Sequence, residues 1–188
     1  KAIRLNSGTF GFRLNKIYKD NPVLFIMNGW YEVELKARIK DPKRIRQKIK
    51  KIARFVKKIK KVDYYYTPEK GVYPTKSLRI RNQGSFHLVN FKKRISYLQG
   101  IYTKKEVEFN LEDIKGFLAV LKEFGFRLWM IKHKESEVYK YKFANIELNH
   151  LRGLGWFIEV EILTRNKVSE ARKTILTIFK LLGINKKD

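Results

Sequence analysis

The feature that most constrains the fold of this chain is a series of segments in which every second residue is charged. In the sequence Glu32-Val33-Glu34-Leu35-Lys36, charged residues alternate with apolar ones, and the same spacing recurs in six later segments. Because side chains alternate between the two faces of a β-strand, each segment predicts a strand with one charged and one apolar face. A single strand of this kind is typical of a sheet with one face in water. A series of them, with acids and bases mixed on the charged faces, favours charges that point into a shared interior.

The apolar faces of these strands need a cover, and three predicted helices can supply it. Helical spacing of isoleucine and valine predicts a basic helix over residues 41–61 that begins at Asp41-Pro42. Asn110 is the predicted cap of a helix over Leu111–Phe124, and Gly183 is the predicted end of a helix over Val168–Leu182. The pattern therefore predicts an α+β protein with an eight-stranded antiparallel β-barrel and about three flanking helices.

Seven strands of this barrel are predicted from alternation and from turn residues between them. They are Trp30–Ile39, Leu78–Arg81, Ser85–Lys92, Lys104–Phe109, Arg127–Lys134, Asn145–Leu148 and Trp156–Leu163. Two further short strands are predicted within residues 9–27, followed by a turn at Asn28-Gly29. We expect residues 1–29 to form an N-terminal extension and residues 30–188 to form one domain.

The charged faces contain equal numbers of acids and bases. The acids are Glu32, Glu34, Glu106, Glu108, Glu147, Glu159 and Glu161, and the bases are Lys36, Arg79, Arg81, Lys92, Lys104, Lys132 and Lys134. Carboxylates suit a hard divalent cation such as Mg²⁺ or Mn²⁺, whereas Arg and Lys suit phosphate oxygens. An interior of this composition is therefore predicted to bind a metal–polyphosphate complex, and the net charge of +25 is predicted to lie on the exterior.

This net charge either has a polyanionic partner, such as RNA or a ribonucleoprotein, or reflects a compositional bias of the source. The predicted basic helix is accordingly either a solvated face or a nucleic-acid contact, with these candidate residues: Lys43, Arg44, Lys50, Lys51, Lys57 and Lys58. The chain contains no cysteine, which excludes a disulfide scaffold and a cysteine nucleophile. No apolar run approaches the roughly 20 residues of a membrane span. We expect a cytoplasmic protein with no membrane partner.

The ordered motifs of the chain resemble those of the CYTH domain, or triphosphate tunnel metalloenzyme, superfamily. Residues 32–36 match its ExExK signature. Asp63-Tyr64-Tyr65, Leu78-Arg79-Ile80-Arg81, Phe91-Lys92, Lys132-His133-Lys134 and the segment 153–161 follow in the order of the superfamily. That superfamily includes class IV adenylate cyclases, thiamine triphosphatases and inorganic triphosphatases.

The resemblance implies an eight-stranded tunnel in which a metal polarises a phosphoryl group. It implies catalytic roles for Glu32, Glu34 and Lys36. The implied metal ligands are Glu32, Glu34, Glu106, Glu108, Glu159 and Glu161. The implied triphosphate-binding residues are Lys36, Arg79, Arg81, Lys92, Lys132 and Lys134.

Three positions depart from the superfamily pattern. Asn149 stands where an Asp is usual, and Lys104 and Lys134 stand where Arg is common. Two functions follow as hypotheses. The first is metal-dependent hydrolysis of inorganic, organic or nucleoside triphosphate, with cyclisation of ATP ranked below it. The second is a catalytically degenerate CYTH fold that binds RNA or a ribonucleoprotein such as the ribosome, and an RNA 5′-triphosphatase would combine the two.

Overall fold

In the computed structural model, which describes residues 30–71, 73–84 and 86–184, eight antiparallel strands form one closed barrel. The strands are β1 (Tyr31–Ile39), β2 (Arg54–Thr67), β3 (Lys76–Asn82), β4 (His87–Leu98), β5 (Ile101–Leu111), β6 (Arg127–Tyr141), β7 (Ala144–Leu151) and β8 (Gly155–Thr164). Their order around the barrel is β1-β5-β4-β3-β2-β6-β7-β8. The predicted α+β barrel is therefore confirmed. The predicted strands within residues 9–27 and the turn at Asn28-Gly29 lie outside the described residues.

The alternation of β1 places its two faces as the sequence predicts. Val33 and Leu35 point outward into the larger hydrophobic core, while Glu32 and Glu34 are buried in the barrel interior. Strand β8 pairs with β1 along its whole length, from Tyr31 opposite Thr164 onward. In this register Glu161 of β8 lies opposite Glu34 of β1, and Glu159 lies opposite Lys36.

Three helices cover the outside of the barrel within the described residues: α1 (Pro42–Ile52), α2 (Ile114–Glu123) and α3 (Val168–Leu182). Helices α1 and α3 bury their apolar faces in the larger core against β1, β7 and β8. Helix α2 closes a smaller core with β3 and β4. Helix α3 ends as predicted at Gly183, whose φ of +66° is left-handed and therefore favours glycine.

The predicted helix over residues 41–61 is wrong in its second half. Helix α1 begins at the predicted cap, where Asp41 accepts a hydrogen bond from the Arg44 amide, but it ends at Ile52. Residues 54–67 instead form β2, which pairs with β6 from Arg54 opposite Lys140 to Thr67 opposite Arg127. Lys57 and Lys58 therefore lie on a strand. The helical spacing of Val56 and Ile59 is a local signal. It is outweighed by the pairing of β2 with β6, a strand more than 60 residues away in the sequence.

The predicted start of the second helix is also wrong. Asn110 is part of β5, which continues to Leu111 opposite His87. The cap is Asp113, whose carboxylate accepts a hydrogen bond from the Gly116 amide at 3.0 Å. The ladder between β4 and β5 extends the strand past the first polar side chain that could have capped the helix.

Candidate functional site

The interior of the barrel contains an alternating series of lysines and glutamates. Lys36 Nζ lies 3.2 Å from an oxygen of Glu34 and 3.2 Å from one of Glu159. Lys104 contacts Glu34 and lies 3.4 Å from Glu32. Lys92 lies 3.4 Å from Glu32 and contacts Glu106. Each of these three lysines thus bridges two carboxylates, and together they link β8, β1, β5 and β4 across the interior.

Further polar contacts extend this series around the barrel. The Asn90 amide donates to Glu106 and to Glu108, both at 3.0 Å, and Glu108 lies 3.5 Å from Arg79. On the opposite side, Glu147 accepts hydrogen bonds from Lys61 at 2.8 Å and Lys134 at 3.3 Å. Arg81 forms a bidentate pair with Asp63, at 2.6 and 2.9 Å. Buried charges of both signs are therefore neutralised mainly by one another.

The ion pairs hold several of these groups in their charged forms. Burial disfavours ionisation of Glu34, but Lys36, Lys104 and Lys92 together outweigh it and the pKa of Glu34 is lowered. The pKa of Glu159 is lowered in the same way, by Lys36 and Lys134 against burial. Burial likewise opposes the charge of Lys36, but Glu159 and Glu34 raise its pKa well above its ordinary value. These three residues are therefore charged at neutral pH rather than protonated or deprotonated to neutrality.

Two of the fourteen charged residues predicted to face inward, one acid and one base, have no ion-pair partner among the described residues. Glu161 accepts a hydrogen bond from Asn145 at 2.9 Å, but burial and the nearby Glu32 and Glu159 raise its pKa to about 8. Lys132 lies 4.9 Å from the centre of the Tyr65 ring. Burial and the neighbouring Lys36 lower the pKa of Lys132 to about 8, although Glu159 opposes this. The interior therefore favours an added cation near Glu161 and an added anion near Lys132.

A cavity of about 520 Å³ occupies the end of the barrel at which β1 ends. Eight basic and only three acidic side chains line this cavity, which we call the basic cavity. Five of the six predicted phosphate-binding residues line it: Lys36, Arg79, Lys92, Lys132 and Lys134. The sixth, Arg81, does not line it and is held by Asp63 instead. The acids and bases predicted for the interior are thus distributed unevenly along the barrel axis, with an excess of bases at this end.

The predicted metal ligands lie mostly toward the opposite end of the barrel. Glu34 and Glu159 line the basic cavity, whereas Glu32, Glu106, Glu108 and Glu161 do not. Among residues 30–71, 73–84 and 86–184, no three carboxylates converge closely enough to form a ligand set for one cation. The lysines that bridge these acids neutralise their negative charge, as a bound cation would do.

The donor atoms nevertheless fit a hard divalent cation. They are carboxylate oxygens, and Asn149 adds a buried side-chain oxygen that lines the cavity without a hydrogen-bond partner within the described part of the chain. The hydroxyl of Ser136, directly opposite Asn149 on β6, is also buried and unpaired there. Unsatisfied buried oxygens are costly, and they suit an additional ligand or ion.

Several residues of this site, among them Arg38 and Arg94 of the basic cavity, were given no role from the sequence. Lys61 and Asp63 belong to the interior ion pairs, and Tyr65 and Trp129 form an aromatic wall of the basic cavity. Lys61, Asp63 and Tyr65 alternate with Val62 and Tyr64, so the signal was present in the sequence. It was obscured because residues up to 61 were assigned to a helix.

The basic residues of the exterior lie apart from the basic cavity. Lys43, Arg44, Lys50 and Lys51 are exposed on α1, and Lys57 and Lys58 are exposed on β2. One residue, Ala53, separates the helix from the strand, so the two groups of basic residues are close along the chain. None of the helices in the described part of the chain combines the length and the apolar character needed to cross a membrane.

The protein is therefore a tunnel protein. Its sheet is a closed barrel with the polar face and its ion pairs turned inward, and helices cover the outside. The sequence profile of the CYTH domain matches residues 31–188. The chain belongs to the CYTH domain family.

Individual relatives are consistent with this assignment. A curated protein of Methanocaldococcus jannaschii named "Putative adenylate cyclase" is 29% identical over 161 residues, which are 82% of this chain and 91% of that protein. A solved structure from Pyrococcus horikoshii OT3 superimposes with a TM-score of 0.70 at 26% identity, covering 84% of this chain and 93% of that one. A structure from Hippeastrum, described as a "putative adenylyl cyclase" with a dominant triphosphatase activity, has a TM-score of 0.57 at 17% identity, covering 81% and 88%. That last identity shows a shared fold alone.

Proposed function

We propose that this protein binds a triphosphate together with Mg²⁺ or Mn²⁺ inside the barrel and hydrolyses the terminal phosphoanhydride bond. The observation that carries the proposal is the uneven distribution of the interior charges. The basic cavity has eight basic and three acidic side chains, while four of the predicted metal-binding acids lie beyond it. A metal–triphosphate complex has the complementary arrangement, with a polyanion at one end and a cation beside it.

The proposed phosphate-binding residues project from four strands around the basic cavity. Lys36, Arg79 and Lys92 come from β1, β3 and β4, and Lys132 and Lys134 come from β6. Ammonium and guanidinium groups on several sides of a chain of phosphates would fix its position and neutralise charge that develops on the transferred group. Arg81 would act through Asp63, by fixing the carboxylate beside the cavity.

The proposed metal-binding residues are Glu32, Glu34, Glu159 and Glu161, and further candidates are Glu106, Glu108 and the Asn149 oxygen. A divalent cation bound there would supply Lewis-acid activation of a phosphoryl oxygen. Glu34 and Lys36 lie where the basic cavity meets these acids, so Glu34 can orient an attacking water while Lys36 holds the adjacent phosphate. Membership of the CYTH domain family and the name of the Methanocaldococcus protein, which refers to adenylate cyclase, support chemistry on a triphosphate.

The test is phosphate release from inorganic triphosphate and from ATP, measured with Mg²⁺, with Mn²⁺ and with chelator. Glu159→Gln is the matched variant, because it removes one carboxylate charge and preserves the shape of the side chain. We expect metal-dependent release that the variant loses by about 100-fold or more. Folded wild-type protein that releases no phosphate from either compound would contradict hydrolysis.

A second function is favoured by the basic surface of α1 and β2. The side chains of Lys43, Lys50, Lys51, Lys57 and Lys58 have no ion-pair partner among the described residues, and Phe55 is exposed between them. Lysines of this density with an adjacent aromatic ring suit the phosphates and bases of single-stranded RNA. We expect RNA affinity that falls steeply with salt and is weakened by the pair Lys57→Gln and Lys58→Gln. Binding that ignores both salt and these substitutions would contradict an RNA-binding role.

A further inference from the structure

A second cavity, of about 790 Å³, opens through the wall of the barrel beside the basic cavity. Strand β1 pairs with β5 only as far as Leu35 opposite Ile101, but it continues along β8 to Ile39. Beyond Leu35, the edge of β1 that faces β5 has no strand partner in the described part of the chain. The end of α3 lies against the outer side of this gap. We call the resulting space the lateral cavity.

The two cavities adjoin each other and share part of their lining. Lys36, Arg38, Tyr102 and Lys104 line both of them. A phosphate chain held by Lys36 and Lys104 in the basic cavity would therefore direct any group attached to its end toward the lateral cavity. Inorganic triphosphate has no such group and would leave the lateral cavity without a ligand.

The lining of the lateral cavity is mostly aromatic and apolar. Tyr97 and Tyr102 form a tilted pair with ring centres 4.5 Å apart, and α3 contributes Leu176 and Phe179. Tyr97 is 59% exposed, so one face of its ring is open to a ligand. Exposed aromatic rings stack on planar heterocycles, and aliphatic side chains pack against the opposite face.

The charges around the lateral cavity restrict the kind of ring that it accepts. Four basic side chains and one carboxylate line it. A positively charged ring would be repelled, whereas a neutral ring would not. The unpaired edge of β1 also presents backbone N–H and C=O groups, which can pair with the polar edge of a heterocycle.

We propose that the lateral cavity binds the neutral heteroaromatic group of an organic triphosphate, such as the base of a nucleoside triphosphate. The preferred ligand of the protein is then an ester of triphosphate rather than inorganic triphosphate. This inference rests on the proposed function, because it requires the phosphates to occupy the basic cavity.

The test compares three ligands by calorimetric titration in the presence of Mn²⁺. They are the β,γ-imido analogue of ATP, inorganic triphosphate, and thiamine triphosphate, whose ring is cationic. Each is titrated into the wild type, into Tyr97→Ala, and into Tyr97→Phe, which keeps the ring. Tyr97 does not line the basic cavity, so its replacement leaves the phosphate-binding residues in place. The melting temperature of each variant establishes that it is folded.

The expected result is that the ATP analogue binds at least about tenfold more tightly than either comparison ligand. Tyr97→Ala should lose about tenfold in affinity for the analogue, the magnitude of one stacking contact, and none for inorganic triphosphate. Tyr97→Phe should retain the affinity of the wild type. Equal affinity for the analogue and inorganic triphosphate, or equal losses for both in Tyr97→Ala, would overturn the lateral site while leaving the tunnel function intact. Absence of binding by all three ligands would instead overturn the proposed function.

Discussion

Lys104 on β5 lies directly opposite Glu32 on β1, and its ammonium nitrogen is 3.4 Å from a carboxylate oxygen of that residue. The same ammonium contacts Glu34. Two acids that we propose as metal ligands are therefore already neutralised by a side chain of the protein. A divalent cation must compete with this lysine, and a bound triphosphate would assist it by drawing lysines toward phosphate oxygens.

Replacement of Lys104 should therefore strengthen metal binding in the absence of triphosphate. We expect Lys104→Met to bind Mn²⁺ about tenfold more tightly than the wild type, a change of about 1.4 kcal/mol. Free Mn²⁺ measured by electron paramagnetic resonance gives the affinity. Lys105→Met is the matched control, because Lys105 is the exposed neighbour on the same strand. If both variants bind Mn²⁺ as the wild type does, Lys104 does not compete with the metal.

Asn149 offers a test of the same site by addition of charge. Its side-chain oxygen is buried, unpaired among the described residues and adjacent to the basic cavity. Asn149→Asp should lower the melting temperature without metal, because it adds a buried charge. With saturating Mn²⁺ the melting temperature should recover to that of the wild type or exceed it. A variant that is destabilised equally with and without Mn²⁺ would show that this position lies outside the metal site.

The ion pair between Asp63 and Arg81 should contribute mainly to stability. Asp63 is fully buried, and Asp63→Asn would leave the guanidinium of Arg81 without its bidentate partner. We expect a loss of about 3–5 kcal/mol in the free energy of unfolding, measured by denaturation with urea. The control is Glu135→Gln, which removes an exposed pair with Lys60 and should cost less than about 1 kcal/mol. Similar losses in both variants would contradict the difference in burial.

Lys132 should make the stability of the ligand-free protein depend on pH. Its pKa in the folded state is lowered to about 8 by burial and Lys36, from an ordinary value of 10.5. Between these values the unfolded chain keeps a proton that the folded protein has lost, so this residue makes stability rise with pH from about 8 to 10.5. Below pH 8, Lys132 is protonated in both the folded and the unfolded state. The folded protein is then destabilised by the full cost of burying this charge.

Lys132→Met removes that cost and should raise the melting temperature at pH 7. The gain should shrink as the pH approaches 10.5. Thermal denaturation at intervals between pH 6.5 and 10.5 measures it, with the exposed Lys105→Met as the control. A gain of constant size across this range would show that Lys132 does not titrate within it.

The sequence was sufficient where local pattern and final environment agree. The central residues of β1 and β8 alternate between charged and apolar, because one face of each strand lies under helices and the other lines the interior. The end of α3 was predictable because Gly183 adopts a left-handed conformation that few other residues tolerate. Parity along the strands also identified which charged residues face inward.

The sequence was insufficient where partners distant along the chain decide the structure. Residues 54–61 have both helical spacing and strand-forming residues, and only their pairing with β6 selects the strand. The bridging of two glutamates by each of three lysines depends on register between strands, which alternation does not fix. The opening in the barrel wall depends on where the pairing of β1 with β5 stops. Neither feature has a local signature.

The most direct test of a metal–triphosphate site inside the barrel is a crystal structure with Mn²⁺ and inorganic triphosphate. Anomalous scattering of manganese locates the cation independently of the phosphates. We predict one or more manganese peaks among Glu32, Glu34, Glu159 and Glu161, with phosphate density against Lys36, Arg79 and Lys132. Manganese and phosphate found only on the exterior of the barrel, with the ion pairs between Lys36, Glu34 and Glu159 intact, would contradict the proposed function.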